Sequence, residues 1–332
     1  MDTLPRASAA SARRRRRAAG GAAVVAALLA GCGLRLETPD PEPLIPDQLE
    51  IVRAAAAADA ADLVATAAEA GATATPEVAV VLARIAEASA AHLDGLGGTY
   101  VPFPDATPTA TATPTVAPAP PAEAGTVLDA LLRAATSSRA DAESVADPAM
   151  ARLLASVTVN RSLLADELAG ALGTTAGPVI AFVVPQTMPE GTAAQEAGVL
   201  VQSEDAAALA WEVVAARSTG PDRDLAAARA AVHRDRAQAW AEAAGIAGEG
   251  ADPRRVSYAL PEALDDPGTS AETLRAAMGE VEAALAESYL SLVAAAHPGA
   301  RGPLVDAALD CLRVQAAAGV PPSAFPGLPE QA

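Results

Sequence analysis

The chain has 332 residues, and at about 100–200 residues per domain this length allows roughly two domains. The sequence is 51% hydrophobic and only 2% aromatic, and alanine, leucine and valine dominate, which favours packed helices over strands. The net charge is −18, and the chain has 23 arginines and no lysine. Because so acidic a surface repels phosphates, we exclude nucleic-acid binding.

Residues 1–31 have the pattern of an export signal. Five consecutive arginines at 13–17 precede an apolar run at 18–30, which is shorter than the roughly 20 residues of a membrane span. The run ends in Leu29-Ala30-Gly31-Cys32, which resembles the lipobox of bacterial lipoproteins. The alternative is a plain anchor helix with an incidental cysteine.

The lipobox resemblance implies that the Cys32 thiol receives a lipid, with acyl chains such as palmitate, and that cleavage leaves Cys32 as the first residue. We therefore expect a protein held on the extracytoplasmic face of the cell membrane through this lipid. Removal of residues 1–31 takes away six arginines and one acid, so the net charge becomes −23. Residues 32–46, rich in proline, are predicted to be a tether.

Eight stretches of the remaining sequence show the 3.6-residue period of amphipathic helices. They cover residues 47–69, 76–96, 123–145, 148–172, 193–217, 222–244, 271–296 and 302–318. Residues 99–121, which alternate proline and threonine, are predicted to be an extended crossover whose composition would also suit O-linked sugars. Residues 174–192 are predicted to be a linker that contains a short, buried, extended apolar segment at 179–184.

Each half of the chain contains two helical hairpins separated by a long connection. A hairpin cannot bury its apolar stripe alone, so the two hairpins of each half must pack together. The sequence therefore predicts an all-α fold of two tandem ferritin-like four-helix bundles, at 47–173 and 193–332, each with a long crossover between its second and third helices. An irregular array of eight helices is the alternative.

The second half also carries a family resemblance. Its motifs are Glu204 with Trp211, His233-Arg234, Tyr258-Ala259-Leu260-Pro261, Glu282 with Tyr289, and Ala324-Phe325-Pro326-Gly327-Leu328. With these motifs, residues 198–330 resemble an actinobacterial ferritin-like domain of unknown function found at the C-terminus of lipoproteins. The resemblance implies a four-helix fold without an established activity. Where a histidine is expected after the first glutamate, this chain has Asp205.

A ferritin-like di-iron centre needs Glu-x-x-His on two helices. None of the three histidines, His92, His233 and His297, has a glutamate three residues before it, which argues against such a centre. Glu204, His233 and Glu282 each lie on the apolar side of a predicted helix and could meet in the core. This set is predicted to be a buried hydrogen-bonded polar cluster, with a single-metal site as the alternative.

The sequence contains no nucleophile elbow, P-loop or dinucleotide-binding turn. We therefore expect a non-enzymatic binding or structural module of the cell envelope with no cofactor, acting through the membrane and a cell-envelope protein partner. The alternative is a metal-binding protein of the ferritin-like class that uses Glu204, His233 and Glu282.

Overall fold

The computed structural model describes residues 45–101, 122–177 and 182–331. The regular structure in these ranges is helical, as predicted. The long helices are α1 (Gln48–Gly71), α2 (Pro76–Gly95), α3 (Ala124–Ser144), α4 (Pro148–Ala171), α5 (Ala194–Arg217), α6 (Gly220–Ala243), α7 (Ala271–Ala295) and α8 (Gly302–Ala317). No helix in the described ranges has the length and apolar character needed to cross a membrane.

Local sequence signals explain where these helices begin and end. The side chains of Asp47, Asp147 and Ser270 each accept a hydrogen bond from a backbone N–H in the first turn of the helix that follows. Helices α2, α4, α6 and α8 carry proline in the first turn, where no backbone N–H donor is needed. Gly173 follows α4 with φ +67°, a conformation that other residues adopt only with strain.

The helices of each half pack as two hairpins laid against each other. In the first half α1 pairs with α2 and α3 with α4, and α3 also packs on α1 while α4 packs on α2. In the second half α5 pairs with α6 and α7 with α8, and α7 packs on α5. In the first half the third helix lies beside the first and the fourth beside the second, which is the arrangement that a long central crossover produces.

The two halves share a hydrophobic core cluster, and the described residues from Pro46 onward belong to one compact unit. Helix α4 packs against both α7 and α8, and one cluster of buried side chains runs from Val52 to Leu312. Arg301, 1% exposed, donates from the α7–α8 turn to the carbonyl oxygens of Ala142 and Val145 at the end of α3. The division into two separate domains at residues 174–192 stays a prediction.

A segment after α8, residues 323–330, lies across both halves, and we call it the strap. Phe325 and Leu328 are buried in it, and Phe325 forms an edge-on contact with His92 of α2 at 5.2 Å between ring centroids. The carbonyl oxygen of Ala324 accepts a hydrogen bond from His92 Nε2 at 2.7 Å, and that of Pro326 accepts one from Ser156 of α4 at 2.7 Å. The strap therefore joins the end of the second half to the first.

Candidate functional site

Three helices of the second half each contribute one of the predicted polar residues to a single point in the core. Glu204 lies on α5, His233 on α6 and Glu282 on α7, and all three are 0% exposed. His233 Nδ1 lies 2.6 Å from Glu204 Oε2, and His233 Nε2 lies 2.9 Å from Glu282 Oε1. The structure thus brings together the three residues that helical periodicity had placed on apolar faces.

Further donors surround the two carboxylates. Arg229 of α6 makes a two-pronged contact with Glu282, with Nε 2.7 Å from Oε1 and Nη2 2.6 Å from Oε2. The indole Nε1 of Trp211 donates to Glu282 Oε1 at 3.0 Å. Glu204 accepts from the hydroxyl of Tyr289, which in turn accepts from Trp240 Nε1 at 2.9 Å. Both buried carboxylates are therefore held by hydrogen bonds from several sides, as burial of a charge requires.

The geometry determines the protonation state of His233. Each ring nitrogen faces a carboxylate oxygen, so both nitrogens donate and the ring is a cation. Burial alone would lower the pKa of His233, but the hydrogen bonds to Glu204 and Glu282 outweigh burial and raise it. Burial would likewise raise the pKa of Glu282, yet the hydrogen bonds from Arg229 and His233 hold it at about 2.

Helix α8 completes the charge balance with an aspartate. Asp310 Oδ2 accepts from Arg229 Nη1 at 2.7 Å and from Arg236 Nη2 at 2.6 Å, and the guanidinium of Arg236 lies 4.9 Å from the centre of the Phe182 ring. Burial opposes the ionised form of Asp310, but the two arginines lower its pKa. We call this set of three cations and three carboxylates the ionic cluster: Glu204, Arg229, His233, Arg236, Glu282 and Asp310.

Sequence analysis missed Arg229, Arg236 and Asp310 as members of this cluster. The two arginines stand four residues before and three residues after His233, so helical spacing places all three on one face of α6. That face also buries Ala230 and Trp240. An arginine at a position spaced for the apolar face was therefore a usable signal, because a buried guanidinium needs a carboxylate partner.

The free thiol of Cys311 lies beside the ionic cluster. It is fully buried, with Sγ 3.8 Å from Arg229 Nη2. Burial, and then the nearby carboxylates of Glu282 and Glu204, raise the pKa of Cys311 well above its usual value. The thiol is therefore neutral and shielded, and it packs as a small apolar side chain.

The ionic cluster is not arranged as a metal site. Among the described residues, no group of three or more histidine, cysteine, aspartate or glutamate side chains is placed to hold a metal ion. The guanidinium of Arg229 occupies both oxygens of Glu282, and the imidazole of His233 has no free lone pair once both nitrogens donate. A metal ion would need those lone pairs, so the residues present do not fit one.

The residue after Glu204, which departs from the expected histidine, has a structural role. Asp205 Oδ2 accepts from the hydroxyl of Tyr258 at 2.6 Å, and that hydroxyl accepts from the backbone N–H of Arg255 at 2.9 Å. Burial and the hydrogen bond to Asp205 raise the pKa of Tyr258 to about 12. The contact fixes the crossover between α6 and α7 onto α5, directly beside the ionic cluster.

The other histidines lie elsewhere. His92 is 0% exposed in the first half, where burial and the nearby Arg161 lower its pKa to about 4 despite the hydrogen bond to the strap. The imidazole of His92 is therefore neutral at physiological pH. His297 is exposed in the turn before α8, 3.5 Å from Glu190. The proposed lipidation residue, Cys32, and most of the 99–121 crossover lie outside the described residues.

The described fold and cluster define an all-helical bundle protein with a largely buried ionic cluster. Residues 193–330 match the protein family described as "Domain of unknown function (DUF4439)". This range holds the ionic cluster, the Asp205–Tyr258 contact and the strap. No curated protein matches the chain, and no solved structure does.

Proposed function

We propose that the protein is an extracytoplasmic lipoprotein, anchored through lipid on Cys32, whose helices form a non-enzymatic binding or structural module of the cell envelope. The sequence of residues 1–32 supports the anchor, because a charged segment, a short apolar run and a terminal Gly31-Cys32 follow in the order and spacing of a lipoprotein signal.

The observation that best supports a non-enzymatic role is that the central residues of the ionic cluster are buried and hydrogen-bonded to one another. Its central residues, Glu204, His233 and Glu282, are 0% exposed and bonded to each other. A general acid or base must reach a substrate proton, directly or through one water. The three central residues instead form hydrogen bonds with other side chains of the protein. Three cations balance three carboxylates, so the cluster leaves no buried charge uncompensated.

The lipid anchor is tested by metabolic labelling of the full chain with a palmitate analogue in a bacterial host. The two cysteines provide a matched pair, because Cys32 is the proposed attachment site and Cys311 is buried in the core. We expect label on the wild type and on Cys311→Ala, and none on Cys32→Ala. Label that persists in Cys32→Ala would contradict the anchor.

The binding or structural role is tested against the metal-binding alternative by elemental analysis of protein produced with added iron or manganese. We expect no stoichiometric metal in the wild type or in His233→Ala. Stoichiometric metal in the wild type that disappears in His233→Ala would establish the alternative and refute the proposed role.

A further inference from the structure

One end of the second half holds an apolar pocket with a volume of about 150 Å³. It lies where α5 and α8 end and where α6 and α7 begin. Its lining includes the buried side chains of Trp211, Ala226, Leu274 and Met278. Leu225, 68% exposed, lies at the rim beside the charged side chains of Asp222 and Arg275.

The pocket exists because α6 and α8 are bridged by long side chains rather than by close backbone packing. Around the ionic cluster, Arg229 and Arg236 span the distance to Asp310 of α8. One turn before Arg229 the facing residues are small, Ala226 on α6 and Ala317 and Ala318 at the end of α8. Nothing in the described chain fills the space between them, so the groove stays open to solvent.

The volume limits what can enter. An apolar cavity of about 150 Å³ holds a molecule the size of benzene. The pocket is therefore of a size that suits a benzyl, isobutyl or sec-butyl group. Its floor is chemically inert, since the indole N–H of Trp211 already donates to Glu282 and the Met278 side chain offers only a thioether.

The charged residues at the rim of the pocket indicate which polar groups the ligand has beside its apolar group. Asp222 and Arg275 have no hydrogen-bond or ion-pair partner among the described residues. They lie near the starts of α6 and α7, on opposite helices of the same opening. One free carboxylate and one free guanidinium beside an apolar pocket match a ligand that has an ammonium, a carboxylate and an apolar group close together.

We propose that this pocket binds a free α-amino acid with a branched or aromatic side chain, such as leucine or phenylalanine. The side chain fills the space above Trp211 and Met278, the carboxylate bonds to Arg275 and the ammonium bonds to Asp222. The inference supplies a ligand for the binding role proposed above. The ligand titration tests only the pocket, and the labelling experiment tests only the lipid anchor. Failure of one proposal can therefore be distinguished from failure of the other.

The test uses the methionine methyl groups as reporters in the full-length chain. The sequence has four methionines, and Met278 lines the pocket whereas Met150 lies on α4. With methyl-¹³C methionine, we expect leucine and phenylalanine to shift the Met278 signal saturably and to leave the Met150 signal unchanged. Glycine, which lacks the apolar group, should leave both signals unchanged, and Met278→Leu identifies the resonance.

Variants that block the pocket, compared with control variants at neighbouring positions, show whether the response comes from binding in the pocket. Ala226→Leu fills the pocket and should abolish the response, whereas Ala227→Leu, at the exposed next position, should retain it. If Ala226→Leu fails to fold, Ala317→Phe at the exposed rim blocks entry from outside. Arg275→Gln and Asp222→Asn should each weaken binding by up to about fivefold, the range of a solvent-exposed ion pair.

Two results would overturn the inference. The first is a Met278 signal that responds to none of the amino acids. The second is a response to hexanol or benzene as strong as that to leucine, because an uncharged ligand would then suffice and the rim charges would have no role in recognition.

Discussion

Replacement of Glu282 by glutamine tests whether the ionic cluster stabilises the fold. The neutral side chain would leave the guanidinium of Arg229 and the imidazolium of His233 without the carboxylate that both contact. Removal of one partner from a buried ion pair costs about 3–5 kcal/mol. The pKa of Glu282 gives a similar magnitude for its contribution to the free energy of unfolding. A pKa of about 2 in the folded state, against the usual 4.5, corresponds to about 3 kcal/mol at neutral pH.

The lowered pKa of Glu282 also determines how the stability of the fold changes with pH. Because folding lowers the pKa of Glu282, its contribution is complete above pH 4.5 and is lost as the pH falls towards 2. The raised pKa of His233 acts in the opposite direction, with a contribution that is complete below pH 6.5 and lost as the pH rises through the folded-state pKa. We therefore expect the ionic cluster to contribute most between about pH 4.5 and 6.5.

The measurement is urea unfolding followed by circular dichroism at pH 7 and pH 3. The control is Glu280→Gln, because Glu280 lies two positions away on α7 and is exposed. We expect Glu282→Gln to be about 3–5 kcal/mol less stable than the control at pH 7, with a smaller difference at pH 3. A difference below about 1 kcal/mol at pH 7, or one that does not shrink in acid, would refute this account of the cluster.

Three further predictions concern the first half and the strap, each measured by urea unfolding of the full chain. Phe325→Ala should cost about 3–5 kcal/mol because it empties a buried site, whereas exposed Val320→Ala should change stability by less than about 0.5 kcal/mol; equal effects would contradict a docked strap. Gly327→Ala should be more damaging than Gly319→Ala: both glycines have positive φ, but the added Cβ would lie 2.6 Å from a leucine side chain at the first position and in open space at the second. His92, with a pKa of about 4, should make the wild type lose about 3 kcal/mol as the pH falls from 6.5 to 4, and His92→Gln should lack that loss.

The helices could be predicted from the sequence because their ends are marked by local chemistry. Aspartate or serine caps and first-turn prolines precede several of them, and glycines follow. The predicted bounds agree with the observed ones to within about two residues. The packing between halves could not be predicted in the same way, because periodicity shows that α4 has an apolar face but not that α7 and α8 cover part of it.

The candidate site was partly predictable for a related reason. Glu204, His233 and Glu282 stand at apolar-face spacing, so their convergence followed from helix geometry. Arg229 and Arg236 were missed because the chain has 23 arginines and no lysine, so the residue type by itself does not mark a buried position. Which carboxylate a buried arginine contacts depends on the crossing of α6 and α8, which no local sequence pattern encodes.

The hydrogen bond between His92 and the strap joins positions 232 residues apart. The notch that receives Phe325 is formed by first-half residues such as His92. Docking of the strap into it therefore closes a very long loop, and contacts of this kind form slowly. A chain interrupted between these points would expose that notch, so the strap makes the integrity of the whole polypeptide a condition for the first half to be sealed.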